Sequence, residues 1–212
     1  MILDKIDEYI RAHIDPEPEL LKRIDRDAHV STLNGNMTSG HLQGRLLKMI
    51  TCMIRPRRIV EIGTFVGYSA LCLAEGLEEG GELHTIEIDD ELEDRIRDNF
   101  ARSEYGERIT LHIGGALELL PHFQDESFDL AFIDAGKEAY WDYYSATLPK
   151  IRKGGFILID NTLWYCKVVE EVKNGDWATR GILEFNRKLT DDDRVEKVIL
   201  PVRDGLTLVR KK

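Results

Sequence analysis

"VEIGTFVGYSA", residues 60–70, decides the fold. Val60 to Ile62 read as the end of a buried strand. Gly63 and Gly67 read as a turn where backbone can approach a ligand closely, and a helix starts behind them. A strand that passes through a glycine turn into a helix is half of a βαβ unit, and the following sequence repeats it. "RIVEIG" leads into a helix over 67–78, "ELHTIEI" into one over 90–103, and "RITLHIG" into a short one near 116–122. "FDLAFID" leads into a helix over 138–151, and "GFILID" is a fifth strand. Such alternation predicts a parallel sheet with helices on both faces.

The end breaks the pattern. "RVEKVILPV" and "GLTLVRK" are strands joined by "RDG", and a hairpin adds antiparallel strands at one edge. Upstream the chain reads helical. Ile2, Ile6, Tyr9 and Ile10 share one face, and Pro16 and Pro18 separate them from a second helix over about 17–33. "NGNMTSG", 34–40, is a loop by composition, and a third helix near 41–54 carries Leu42, Leu46, Leu47, Met49 and Ile50. The expectation is one domain over 1–212, with a helical segment at 1–54 and an α/β core at 55–212.

Bulk properties narrow the function. The 212 residues, 42% hydrophobic and 32% charged, fit one soluble domain, and the net charge of −10 disfavours broad electrostatic binding of nucleic acid. A small basic patch at Arg55, Arg57 and Arg58 stays possible. No apolar run approaches the roughly 20 residues of a membrane span. The acidic, amphipathic "MILDKIDEYI" does not read as a signal peptide. Cys52, Cys72 and Cys166 are an odd count without a Cys-x-x-Cys pair, which suits free thiols in a reducing cytoplasm.

A ligand is expected at the carboxyl ends of the parallel strands. Each end carries something distinctive there: Glu61, Glu87, Gly114-Gly115, Asp134 and Asp160-Asn161. A dinucleotide site wants G-x-G-x-x-G, and residues 60–70 lack it. Glu61 would repel a pyrophosphate but suits an ammonium, and Glu87 stands where an acid takes ribose hydroxyls. A nucleoside carrying an amino-acid cation has that character, as in S-adenosylmethionine. Gly115-Ala116 offers small residues to an adenine, or else is a plain turn.

Asp134, Asp160 and Asn161 are hard oxygen ligands that suit Mg²⁺, Mn²⁺ or Ca²⁺ rather than zinc. Alternatively, Asp160 caps a helix and Asn161 makes a turn. Asp134 on a neighbouring strand end favours the cation, because two close carboxylates repel and a divalent ion resolves that. Lys137 is then placed to act as a base, and its plainer alternative is a surface lysine. Trp164 follows the ligand pair and is a candidate wall for an acceptor pocket. Trp141, Tyr143 and Tyr144 have helical spacing and read as packing, and the Cys166 thiol is a poor Mg²⁺ ligand.

"MTSGHLQGRLL", "VEIGTFVGYSALCLA", "IDAGKEAY", "DNTLW" and "LPVRDGLTLVRK" together resemble the cation-dependent O-methyltransferases, the group of the caffeoyl-CoA and catechol enzymes. The resemblance runs from about Asn36 to the C-terminus. It implies a Rossmann-like S-adenosylmethionine-dependent methyltransferase fold with a seven-stranded, mostly parallel sheet, which agrees with the strand count above. It implies that Asp134, Asp160 and Asn161 hold a divalent cation. Ser39, Glu61, Gly63, Thr64, Ser69, Glu87, Gly115, Ala116 and Asp134 would contact S-adenosylmethionine, with Lys137 and Asp134 catalytic. It also implies a homodimer and a small acceptor with vicinal hydroxyls.

The match has gaps. Plant enzymes show Asp-Ala-Asp-Lys where this chain has Asp134-Ala135-Gly136-Lys137, and continue with Asn where it has Tyr165. No cluster for a CoA tail is evident. A bacterial-type member with a catechol-like substrate range fits better. Rival readings are a tRNA hydroxyuridine O-methyltransferase of the same family, a nicotinamide-dependent oxidoreductase, and a non-catalytic binding protein. Glu61 and the missing glycine fingerprint oppose the second; the intact Lys137 and ligand set oppose the third.

Overall fold

The computed structural model describes residues 2–31 and 35–212, with the side chains of 2–4 and of Asn36 outside the description. Seven strands form one sheet: β1 (Arg58–Ile62), β2 (Glu82–Glu87), β3 (Ile109–Ile113), β4 (Phe128–Ile133), β5 (Ile151–Ile159), β6 (Val195–Leu200) and β7 (Leu206–Lys211). Their order is β3-β2-β1-β4-β5-β7-β6, the first five parallel and β7 antiparallel to both of its neighbours. The hairpin's second strand therefore slots between β5 and β6. Strand order reverses between β1 and β4, so the crevice expected for a ligand opens at Gly63 and Asp134.

The period of two in the central strands sets the layers. Ile59, Leu130, Phe132 and Leu158 point into one core, with α2 (Glu19–Ser31), α3 (Gly40–Ile54), α4 (Tyr68–Ala74) and α5 (Glu93–Ala101) over it. Val60, Ile62, Ala131, Ile133, Ile157 and Ile159 point into the other. That side is covered by α6 (Ala116–Leu119), α7 (Tyr140–Thr147) and α8 (Trp177–Thr190). At about 25 cal/mol per Å², each such buried aliphatic chain contributes roughly 1.5–3 kcal/mol. α1 (Ile2–His13) precedes this frame and contacts α3.

α3 binds the helical segment to the sheet. A Cβ on Gly44 would sit 2.8 Å from Tyr68 Cε1 and 2.9 Å from Cys72 Sγ, so the α3 backbone packs directly onto α4 side chains. Beside that seam Arg45 grips Glu75 with both guanidinium nitrogens, at 2.5 and 3.0 Å.

Several boundaries differ from the sequence expectation. The helix expected over 67–78 ends at Ala74, because Gly76 packs against the α3 backbone, its Cβ position 2.6 Å from Cys52 N. The one expected over 138–151 is α7, flanked by 3-10 turns at Lys137–Ala139 and Leu148–Lys150, and Ile151 already belongs to β5. The helices expected over 90–103 and 116–122 are trimmed to α5 and α6 by 3-10 turns at Asp90–Leu92 and Leu120–His122. The end of the helix expected over 17–33, and Asn34 of the following loop, fall outside the described residues. α8 was not anticipated. Asp176 caps it, its side chain accepting from Thr179 N at 3.1 Å, and Ile182, Phe185 and Leu189 bury one face.

Candidate active site

The carboxyl ends of β1, β2, β4 and β5 stay side by side because pairing continues past the strands. Gly63 N–H donates to Ile86 O at 2.9 Å, Asp134 N–H to Ile62 O at 2.9 Å, and Asp160 N–H to Ile133 O at 3.0 Å. Glu61, Gly63, Asp134 and Asp160 are thus held on adjacent strands, as the sequence predicted.

Glu61 is fully buried and pairs in register with Thr85, whose hydroxyl donates to Oε2 at 2.5 Å. Its other oxygen, Oε1, is buried without a protein partner. Burial raises this carboxyl to about 8, against the pull of the nearby Ser69 and Thr85 hydroxyls, and the charges of Asp134 and Glu87 add to the rise. A buried carboxyl with one oxygen unmatched fits a ligand cation. Glu87 spans the turn: Oε2 accepts from Thr64 N at 3.1 Å and Phe65 N at 2.7 Å, and Oε1 from Asp89 N at 3.0 Å. The Thr64 side chain is turned inward onto Thr85, 2.5 Å away, so Thr64 can offer a ligand only backbone. Gly115 precedes α6 and Ala116 opens it, with Gly114 N–H donating to Glu87 O at 2.7 Å. Ser39, buried at the start of α3, lies one helical turn before Gln43.

Asp160 is 4% exposed. Its Oδ2 accepts from Gln43 Nε2 at 2.6 Å and its Oδ1 from the Asn161 amide at 2.8 Å. Burial first and the Asp134 charge second push it up to about 7, while Gln43 and Asn161 oppose. Asp134 Oδ1 accepts from Lys137 Nζ at 2.8 Å, and that ammonium also donates to Tyr140 OH at 2.7 Å. Lys137 is 13% exposed, so it is not an ordinary surface lysine. Asn161 adopts φ 56°, and its Nδ2 lies 3.5 Å from Asp204 Oδ2, on the β6–β7 connection. Among the described residues no three His, Cys, Asp or Glu side chains gather as a cation site. The candidate donors are two carboxylates and one amide. Their chemistry fits a hard divalent ion, because a cation relieves the Asp134–Asp160 repulsion and the donors on Asp160 are neutral, so no fixed positive charge on that carboxyl competes with the ion.

Trp164 stands beside this group, its ring 5.8 Å from both Lys137 Nζ and Lys167 Nζ. Trp164, Tyr165 and Cys166 have φ of 45°, 52° and 61°, three consecutive non-glycine residues in the left-handed region. Tyr144 is buried and Trp141 and Tyr143 pack against the core, as expected. The candidate basic patch is elsewhere: Arg55 and Arg57 lie 4.0 and 3.8 Å from Glu78, and Arg58 lies 2.7 Å from Glu82, at the opposite end of β1. Sequence reasoning missed Gln43, Thr85, Tyr140 and Asp204. Gln43 had one signal, a polar residue on the apolar face of the third helix. Thr85 had another, its place two residues before Glu87.

A doubly wound sheet with an inserted antiparallel strand and an acidic crevice at its switch point defines the S-adenosylmethionine-dependent methyltransferase fold. Residues 11–212 match the O-methyltransferase family. Caffeoyl-CoA O-methyltransferase of Petroselinum crispum is 30% identical over 205 residues, covering 92% of this chain and 85% of that one. Caffeoyl-CoA O-methyltransferase 2 of Zea mays is 34% identical, covering 92% and 77%. Among solved structures, the O-methyltransferase TomG of Streptomyces achromogenes in complex with SAM superimposes with a TM-score of 0.88 at 27% identity, covering 98% of this chain and 96% of that one. The O-methyltransferase of Bacillus cereus in complex with SAH gives 0.86 at 27%, covering 98% and 97%. The chain belongs to the O-methyltransferase family and is an S-adenosylmethionine-dependent O-methyltransferase. No helix among the described residues is long and apolar enough to cross a membrane.

Proposed function

We propose that this chain methylates a small acceptor with vicinal hydroxyls, catechol-like or caffeoyl-like, with the help of a divalent cation. Mg²⁺ is the first choice, and Mn²⁺ or Ca²⁺ are alternatives. The observation that carries the reading is the buried Asp160 beside Asp134, with Lys137 2.8 Å from Asp134 and Glu61 across the crevice. Asp134, Asp160 and Asn161 would hold the cation. Bound there, it would polarise both acceptor hydroxyls and fix their oxygens.

The protein's own groups do the rest. Glu61 and Ser69 hold the ammonium end of S-adenosylmethionine, Glu87 its ribose, Gly115-Ala116 its base, and Ser39 and Gly63 border it. Lys137 Nζ first gives a proton to solvent; as the free amine it then takes the proton of one acceptor hydroxyl and returns to the ammonium that donates to Asp134 and the Tyr140 oxygen. The acceptor oxygen forms its bond to the methyl carbon as the carbon–sulfur bond breaks, leaving S-adenosylhomocysteine. Trp164 shields one side of the acceptor. Orientation supplies most of the acceleration and electrostatics the next part.

Against the tRNA reading, the three candidate arginines pair with acids at the far end of β1. A homodimer and a cytoplasmic location complete the proposal. The free thiols of Cys52, Cys72 and Cys166 agree with a reducing compartment. The test is a panel of diols with labelled S-adenosylmethionine, with Mg²⁺ and after EDTA, alongside undermodified tRNA. Metal-dependent methylation of a diol is expected. Equal rates after EDTA would refute the cation, and methylation of tRNA alone would replace the acceptor. Asp160→Ala should abolish turnover yet still bind S-adenosylhomocysteine in calorimetry.

A further inference from the structure

The side chain of Gln43 lies 117 positions from Asp160 in sequence and touches it in space. Gln43 is 1% exposed, in the first turn of α3, and its side-chain amide donates to Asp160 Oδ2 at 2.6 Å. The other oxygen of Asp160 accepts from the Asn161 backbone N–H at 2.8 Å, so the carboxylate is held at both oxygens. Each oxygen keeps a second lone pair.

The chemical type of the donor is informative. A buried carboxylate is most simply stabilised by Lys or Arg, and this chain does so at Glu75, held by Arg45. At Asp160 it uses a neutral amide. A permanent cation there would cancel the charge that attracts a metal ion and would repel the ion itself. An amide fixes the geometry and leaves the charge in place. Asp134, whose partner is Lys137, is already half neutralised.

We infer that Gln43 is a positioning residue for the cation site, holding Asp160 in its ligating orientation and tying that site to α3. The inference rests on the cation-dependent reading above. α3 also carries Ser39 on the same face, one turn earlier. The loop before it is tied to the hairpin beyond β6, Arg203 Nη1 donating to Thr38 O at 3.2 Å. Placement of the helical segment and of the ligand carboxylate are thus one mechanical unit, and Gln43 is its joint. Ligand-orienting hydrogen bonds of this kind are worth about 10–100-fold in metal affinity.

The test uses the full chain and Mn²⁺ alone as probe. Free Mn²⁺ is followed by electron paramagnetic resonance, and S-adenosylhomocysteine binding by calorimetry in the same samples. Gln43→Met keeps length and helix preference but cannot donate. Gln43→Asn keeps the amide but shortens its reach, and serves if the methionine variant melts early. Asp160→Ala is the control. Expected is Mn²⁺ binding about 10–100-fold weaker in either Gln43 variant, with S-adenosylhomocysteine affinity unchanged. Wild-type Mn²⁺ affinity in a folded Gln43 variant, while Asp160→Ala loses it, overturns the role of Gln43 alone. No Mn²⁺ binding by the wild-type chain overturns the cation-dependent reading and this inference with it.

Discussion

The carbonyl oxygen of Asp134 occupies the place where a side chain at residue 63 would begin. A Cβ on Gly63 would lie 1.9 Å from it, and Gly63 has φ +97°. The first and fourth strands meet here edge to edge, so the crevice is formed by two backbones in contact. Gly63→Ala should separate them. The forced shift and the unfavourable backbone angle together should cost more than about 2 kcal/mol, with loss of S-adenosylhomocysteine binding. Urea denaturation and calorimetry check both. A stable variant with wild-type affinity would show that the strand ends can part without harm.

A second relationship concerns stability in acid. Asp192, with its side chain 5% exposed, accepts from Arg194 Nε at 2.9 Å, Arg194 Nη2 at 2.6 Å and Tyr144 OH at 2.8 Å. The Arg194 side chain above all, then Tyr144, holds this carboxyl well below the usual range against the opposing effect of burial. The folded form therefore binds this proton less readily than the unfolded chain. The stabilisation is full above the ordinary carboxylate value near 4 and is lost as pH falls below it. Asp192→Asn should lower stability at pH 7 by about 1–3 kcal/mol and flatten the decline between about pH 5 and pH 3. Urea midpoints across that range decide it, and parallel declines in both proteins would exclude Asp192 as the source.

The parts of this architecture that are local in sequence were legible, and the parts made by tertiary contact were not. The strand "FDLAFI" announced itself by apolar residues broken only at Asp129, and Asp134 and Asp160 by their places one step past such runs. α8 escaped because its apolar positions are sparse among charges, although Ile182, Phe185 and Leu189 keep helical spacing. Gln43 could be seen as an oddity on an apolar face but not matched to Asp160, since nothing local joins α3 to the end of β5. The left-handed run at Trp164–Cys166 had no signal at all. Glycine advertises positive φ, and Trp, Tyr and Cys do not.

That run is held from outside. Asp204 O accepts from Leu163 N at 2.9 Å and Trp164 N at 3.3 Å, and the Asp204 carboxylate accepts from the Tyr165 amide. Left-handed backbone costs roughly 1–2 kcal/mol per residue, so the clamp must offset several such penalties. Asp204→Ala removes the carboxylate and leaves the carbonyl. It should release the Trp164 wall, raise the KM for a diol acceptor several-fold and lower stability by about 1–2 kcal/mol. S-adenosylhomocysteine affinity should stay unchanged. Steady-state kinetics against acceptor and donor in turn separate the two sides. A change in the donor KM alone would place the clamp on the wrong side of the site.

With the cofactor seated as proposed, Glu61 is expected to make its binding a proton-release reaction. Burial raises its carboxyl to about 8, so at pH 7 the unliganded folded protein holds a proton there that the unfolded chain does not. Its protonated form favours the fold fully below the ordinary value of 4.5, and that contribution is lost as pH rises through about 8. S-adenosylhomocysteine carries an ammonium. Set against the unpartnered Oε1, it would favour the ionised carboxylate and expel the proton. Calorimetric titrations at pH 7, in buffers of different ionisation enthalpy, should therefore show release approaching one proton per site, fading by pH 9. Glu61→Gln should bind about 10–100-fold more weakly, from the roughly 1.5–3 kcal/mol of a charge-assisted hydrogen bond, and release none. Asp160, raised to about 7 nearby, is the other carboxyl that could supply the proton. Asp160→Asn serves as the control and should release as the wild type does. If Glu61→Gln keeps the full release and Asp160→Asn abolishes it, the ammonium is not seated on Glu61, and the cofactor lies differently across the strand ends.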